Sequence, residues 1–225
     1  MKRYALIALL LAVVLTACGR PTLPPHSGAV SEGLSPLQLV TQHWLSGTQR
    51  YLCRQSGVLK LPWREIPLQG VLRIDCAAHE ARLVAMDSMG VKLFDVTVTV
   101  TVTGEDMSLN YLLPLLEEHP QLPKVVAESV RRIFLTPQPQ AGDRLQPRCD
   151  GQPYRLVSDA QSGAEFTFGG DPIRLQTIRV ATDDENWQVD YFNDSDSGML
   201  RTPTMIVLDD KNYRLTLWME EVRQL

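Results

Sequence analysis

The chain is short of the residues on which most recognisable chemistries depend. It has four cysteines and four histidines in 225 residues. Four cysteines with no C-x-x-C spacing are too few for a disulfide scaffold. The G-x-S-x-G, P-loop, G-x-G-x-x-G and H-E-x-x-H signatures are all absent, which removes the common hydrolase, nucleotide and zinc-peptidase readings. His26, His43, His79 and His119 stand far apart and read as surface residues, so no metal site and no cofactor is expected. A surplus of positive charge is missing as well. Twenty-two Lys and Arg against 26 Asp and Glu give a net charge of −4, and a nucleic-acid partner is not expected. The polar stretch 193–198 has the glycine of a calcium loop, but Thr204 falls where the twelfth-position glutamate belongs. Asp183-Asp184-Glu185 reads as a solvated turn. No nucleophile is paired with a base, so no catalytic residue is assigned and the chain reads as a non-enzyme.

What is present begins at the N-terminus. Lys2 and Arg3 precede the uncharged, mostly aliphatic run 5–17, which is too short to cross a bilayer as a mature helix. The run closes on Leu15-Thr16-Ala17-Cys18, which resembles the lipobox of bacterial lipoproteins. That resemblance implies removal of residues 1–17 and acylation of Cys18. Two or more acyl chains give stable anchoring where one gives only marginal binding. Gly19, in place of an aspartate, implies sorting to the outer membrane, with the domain facing the periplasm. The alternative is an ordinary secretory signal beside an unrelated cysteine.

Residues 18–35 hold the lipidation site and a Pro- and Gly-bearing tether, and 36–225 form one domain. Ser35-Pro36 is an N-cap followed by a first-turn proline, and Leu37, Val40, Trp44 and Leu45 predict an amphipathic helix ending at Gly47. From Tyr51 the period falls to two. Phe94, Val96, Val98, Val100 and Val102 alternate with Asp95 and a series of threonines, the mark of an antiparallel sheet with one apolar face. Leu112, Leu113, Leu115 and Leu116 then interrupt the strands, and Val126, Val130, Ile133 and Phe134 share one side of a helix from Pro123 to about Leu135. Alternation returns from Tyr154 to Met219. The order predicts an α+β fold: one curved antiparallel sheet with helices lidding its concave apolar face. Cys53 and Cys76 fall in the apolar phase of early strands, so they read as a disulfide pair or as two buried thiols.

The segment Arg82-Leu83-Val84-Ala85-Met86-Asp87-Ser88-Met89-Gly90-Val91-Lys92-Leu93-Phe94 resembles the R-L-x-x-x-x-P-x-G-x-x-L-F hairpin of a lipoprotein family found beside aryl-polyene-type pigment genes. Ser88 departs from it, standing where a proline is usual. That family is similar to LolA and LolB, which carry lipoproteins across the periplasm and receive them at the outer membrane. The resemblance implies an unclosed barrel with helices over a hydrophobic cavity. It also implies an acylated or polyene-linked amphiphile as cargo, and a periplasmic carrier or an exporter as partner. Met89 matches the hairpin residue that meets the membrane; it reads equally as a plain turn residue. On this account Phe94, Val96, Val98, Val100, Leu112, Leu113, Leu115, Leu116, Val126, Val130, Ile133 and Phe134 line a cavity and its lid. The same residues would serve an ordinary filled core, as in an assembly scaffold at the outer membrane.

Overall fold

The computed structural model describes residues 33–45, 47–101, 104–119, 121–159, 163–192 and 202–225. Cys18, the signal segment, most of the tether, Val102 and the loop 193–198 lie outside them.

Among the described residues twelve antiparallel strands make one sheet. They are β1 (Arg50–Leu61), β2 (Arg64–Asp75), β3 (Glu80–Met86), β4 (Lys92–Thr101), β5 (Gly104–Leu112), β6 (Arg144–Leu145), β7 (Tyr154–Val157), β8 (Ala164–Gly169), β9 (Arg174–Ala181), β10 (Asn186–Phe192), β11 (Met205–Asp210) and β12 (Arg214–Gln224). The spatial order runs β5-β4-β3-β2-β1-β12-β11-β10-β9-β8-β7-β6. Each half of the chain is therefore a meander, and the β1–β12 pair joins the halves. The outer strands β5 and β6 do not pair with each other, so the sheet is unclosed.

The alternation read from the sequence sets the inner face. In β1, Tyr51, Cys53, Gln55, Gly57 and Leu59 are buried while the intervening residues are not. Leu72 and Ile74 of β2, Leu83 and Ala85 of β3, and Phe94, Val96 and Val98 of β4 continue that face. On the outer face of β4, Asp95 is buried too. Arg82 Nε and Nη2 donate to its two oxygens at 3.0 and 2.9 Å, Lys92 at 3.1 Å and Asn110 at 3.2 Å. The Arg82 hydrogen bond leads the contributions that hold this carboxyl far below the usual range.

Helical structure is sparse among the described residues. α1 (Pro36–Val40) is one turn long, shorter than expected, and opens on a capping box in which Ser35 and Gln38 exchange hydrogen bonds. α2 (Gln121–Val130) starts slightly before Pro123 and continues as a π-helical turn, Arg131–Leu135. Leu112 ends β5, and Pro114–Leu116 is a 3-10 turn, so the leucine-rich stretch is a strand end and a turn. No helix among the described residues is long and apolar enough to cross a membrane.

One open alternative is decided and one expectation is corrected. Cys53 and Cys76 are free, buried thiols. Cys53 faces Leu72 across the β1–β2 ladder, and the Cys76 amide pairs with Gln49, four positions further along. At about 3.3 Å per residue that spacing exceeds what a disulfide spans. Burial pushes the Cys53 thiol up to about 12, which suits an inert core residue. His43 is buried, not on the surface, with its ring edge-on to Tyr191, and burial lowers its pKa to about 4.

Candidate functional site

The inner face of β1, β2, β3 and β12 is not flat hydrocarbon. Gly57 lies opposite Leu68 on one side and Leu217 on the other, and Gly70 lies opposite Gln55 and Ala85. Two missing side chains and one methyl leave a hollow beneath α2. Leu59, Leu68, Leu83, Leu215 and Leu217 wall it from the sheet, and Val126, Ser129, Val130, Ile133 and Phe134 wall it from the helix. The cavity is about 30 Å³, where a single water needs about 10–15 Å³. It has room for small groups but not for an acyl chain.

The two glycines are not equivalent. A Cβ on Gly57 would meet the Thr216 carbonyl oxygen at 2.8 Å and Leu217 Cδ2 at 2.7 Å, whereas one on Gly70 would come tightly against the movable Leu83 Cδ1 alone, at 3.0 Å, with Gln55 Nε2 and the Val84 carbonyl oxygen at an ordinary 3.5 Å. Gly57→Ala is expected to cost about 2–3 kcal/mol, since a neighbouring backbone must shift. Gly70→Ala is expected to cost under about 1 kcal/mol. Urea melts of the two variants check the contrast; equal losses would remove this account of Gly57.

The helix is held over the hollow from both halves of the sheet. Arg131 Nε lies 2.8 Å from Glu105 of β5, and Arg131 Nη2 donates to Glu185 at 3.2 Å, in the turn before β10. Arg132 is buried, donates to Asp210 at 2.9 Å and to Tyr213 Oη at 3.3 Å, and stacks over Trp187. Tyr213 Oη is also hydrogen-bonded to Ser129, and Tyr191 donates to the Ile133 carbonyl at 2.8 Å. The turn that read as solvated thus supplies a structural carboxylate. Burial alone would raise the pKa of Glu185; the Trp187 indole N–H and the charges of Arg131 and Arg132 outweigh it and lower it.

Of the residues proposed from the sequence, Val126, Val130, Ile133 and Phe134 meet at this hollow. Phe94, Val96 and Val98 are buried in the core but do not line the hollow, whereas Val100, Leu112 and Leu116 are half-buried against the core. Leu113 is half-buried, and Leu115 points to solvent. Sequence reasoning missed the sheet side of the hollow, Gly57 and Gly70 above all, and Gln55 beside them. The available signal was small or polar residues recurring in the apolar phase of β1 and β2.

Met89 is 86% exposed at the tip of the β3–β4 hairpin. Asp87 Oδ1 accepts the Met89 and Val91 amides at 2.8 and 2.9 Å, fixing the turn while the side chain projects. In a meander, alternate connections share an end, so the β1–β2, β3–β4 and β5–α2 connections lie together. Trp63 and Leu115, also exposed, occupy the other two, and Trp63 packs on His119 with ring centroids 5.6 Å apart. Among the described residues no cluster of three or more His, Cys, Asp or Glu could hold a metal.

No family model matches the sequence, and no curated protein matches it. Solved structures do. A DUF1329 family protein from Desulfovibrio piger aligns over 84% of this chain and 89% of its own, with a TM-score of 0.57 at 9% identity. A putative outer membrane lipoprotein-sorting protein domain from Vibrio parahaemolyticus aligns over 80% and 86%, with 0.53 at 9%. A LolA superfamily protein from Nitrosomonas europaea aligns over 85% and 94%, with 0.50 at 9%. The fold is LolA-like. At this identity the likeness is one of architecture: an unclosed antiparallel sheet, as the sequence led us to expect. In this LolA-like fold the hollow lies between the sheet and α2, the longest helix among the described residues.

Proposed function

We propose that this chain is a lipid-anchored, non-enzymatic carrier or acceptor at the periplasmic face of the outer membrane. It takes an acylated or polyene-linked amphiphile beneath α2, which acts as a lid, and passes it to the membrane. One observation carries this reading: a hollow walled by leucine, valine, isoleucine and phenylalanine side chains, opened by the absence of side chains at Gly57 and Gly70. Each buried methylene contributes about 0.8 kcal/mol, so a dry channel can compete with a bilayer for an acyl chain. Further support comes from the lipoprotein-sorting domain among the structures of similar fold. Since the hollow holds only about 30 Å³, loading requires α2 to lift, and the ion pairs of Arg131 and Arg132 set the energy of that motion.

The same small volume favours a second reading, an assembly scaffold whose core is filled. Native mass spectrometry of protein extracted from its membrane in mild detergent separates the two. A defined amphiphile that leaves on denaturation supports the carrier. A clean apo mass, unchanged after incubation with total membrane lipid, contradicts it and leaves the scaffold.

Met89, with Trp63 and Leu115 on the adjoining connections, forms the membrane-contact end in this proposal. A flexible thioether and an indole suit transient contact with headgroups and acyl tops. Met89→Asp is expected to slow ligand delivery to vesicles several-fold while shifting stability by less than about 0.5 kcal/mol. Delivery at the wild-type rate would remove the hairpin from the transfer step.

A further inference from the structure

The hollow contains one polar group that the fold leaves unused. Gln55 is 6% exposed, faces inward from β1, and lines the space beneath α2. Its Oε1 is buried and has no hydrogen-bond partner. The other inward polar side chain, Ser129, is already hydrogen-bonded to the Val125 carbonyl at 2.7 Å and to Tyr213 at 3.1 Å. Ser56 and Gln69 stand in the opposite phase of their strands, where side chains point to the other face.

The surroundings of Gln55 are arranged around its carboxamide. The β1–β12 register shifts between Arg54 and Gln55, which pair with Glu221 and Met219, so the extra residue, Glu220, bulges β12 opposite this position. Bulges re-aim side chains and recur beside functional sites. Across the ladder stands Gly70, followed by Ala85, and a Cβ on Gly70 would lie 3.5 Å from Gln55 Nε2. The row therefore keeps its bulk low where the amide projects. A buried acceptor without a partner is a net cost to the fold, and a leucine in its place would fill the same space without that cost. Such a group in a native core calls for an explanation.

We propose that Gln55 is the specificity-determining contact of the cavity, with Oε1 accepting a hydrogen bond from a donor carried on or next to an acyl chain. Two chemistries supply that donor: a hydroxyl on the chain, or the N–H of an amide-linked chain. A plain saturated chain leaves the carboxamide unsatisfied and binds more weakly. This inference rests on the carrier reading, and it narrows the cargo from amphiphiles in general to those with a donor inside the apolar section.

The test uses the full-length protein, stripped of bound lipid, and titrates three probes of equal acyl length: tetradecanoic acid, its β-hydroxy derivative and N-tetradecanoylglycine. Wild type is expected to bind the hydroxylated or the amide-linked probe about five- to tenfold more tightly than the plain acid, and the preferred probe identifies the donor. Gln55→Leu is expected to erase that preference, keep affinity for the plain acid, and melt no lower than wild type. Equal affinity for all three probes, or a preference that survives Gln55→Leu, would overturn the role of Gln55 while leaving the carrier reading standing. Binding of none of the three would overturn the carrier reading itself. A lower melting temperature with unchanged selectivity would show that Gln55 serves the fold alone.

Discussion

Arg132→Ala is expected to lower stability by about 3–5 kcal/mol, because it strips the cation from a buried pair and leaves the Asp210 carboxylate without it. The same change removes the hydrogen bond to Tyr213 and the stacking on Trp187. Arg132→Lys restores the charge but not the planar fork, so it is expected to recover only part of the loss. Urea melts at neutral pH measure the effect. Hydrogen exchange over residues 121–135 should rise more than exchange in β1 and β2, since the helix loses its tie to the rim. The tie also has a pH sense. Glu185 has its pKa lowered in the folded protein, so its contribution is fully present above the ordinary glutamate value, about 4.3. It is lost as pH falls through the lower folded value. A loss below about 1 kcal/mol for Arg132→Ala would mean that the arginine is not what holds α2 down.

Phe134→Ala is expected to cost a similar amount, about 3–5 kcal/mol. The ring is buried, meets Trp44 edge-on at 6.2 Å and forms part of the helical wall of the hollow. Truncation removes hydrocarbon contacts and leaves a space that the surrounding sheet cannot fully close. That space adds to the hollow, so the carrier reading expects an asymmetry between the free and loaded variant. Without ligand it melts well below wild type. With a saturating acyl probe it should recover more of its melting temperature than wild type gains, because ligand binding to the native state stabilises by mass action. Thermal melts with and without probe check both parts. Destabilisation with no recovery would place Phe134 in a core that no ligand enters.

Much of the fold was legible because period-two alternation survives translation into a half-buried sheet. Phe94, Val96 and Val98 faced inward as their pattern required, and the amphipathic face of 126–134 did pack on the core. The leucines at 112–116 were legible only as an interruption of the strands, because an apolar run does not by itself distinguish a strand end and turn from a helix. The hollow itself was hard to read for a physical reason. It is defined by what is missing at Gly57 and Gly70, and a glycine carries no hydrophobic signal. Gln55 was hidden by its type: one amide in an apolar phase looks like an interruption until its neighbours across the ladder are known. His43 was misplaced because a single histidine gives no pattern, and only tertiary packing against Tyr191 buries it.

The measurement that bears most directly on the central claim is photocrosslinking with an acyl chain that carries a diazirine near its midpoint, followed by mapping of the modified peptides. The account expects adducts on two sets of residues that meet only beneath α2: Gly57, Leu59, Leu83 and Leu217 from the sheet, and Val126, Val130 and Phe134 from the helix. Adducts confined to the exposed connections at Trp63, Met89 and Leu115, or none above a no-light control, would contradict it.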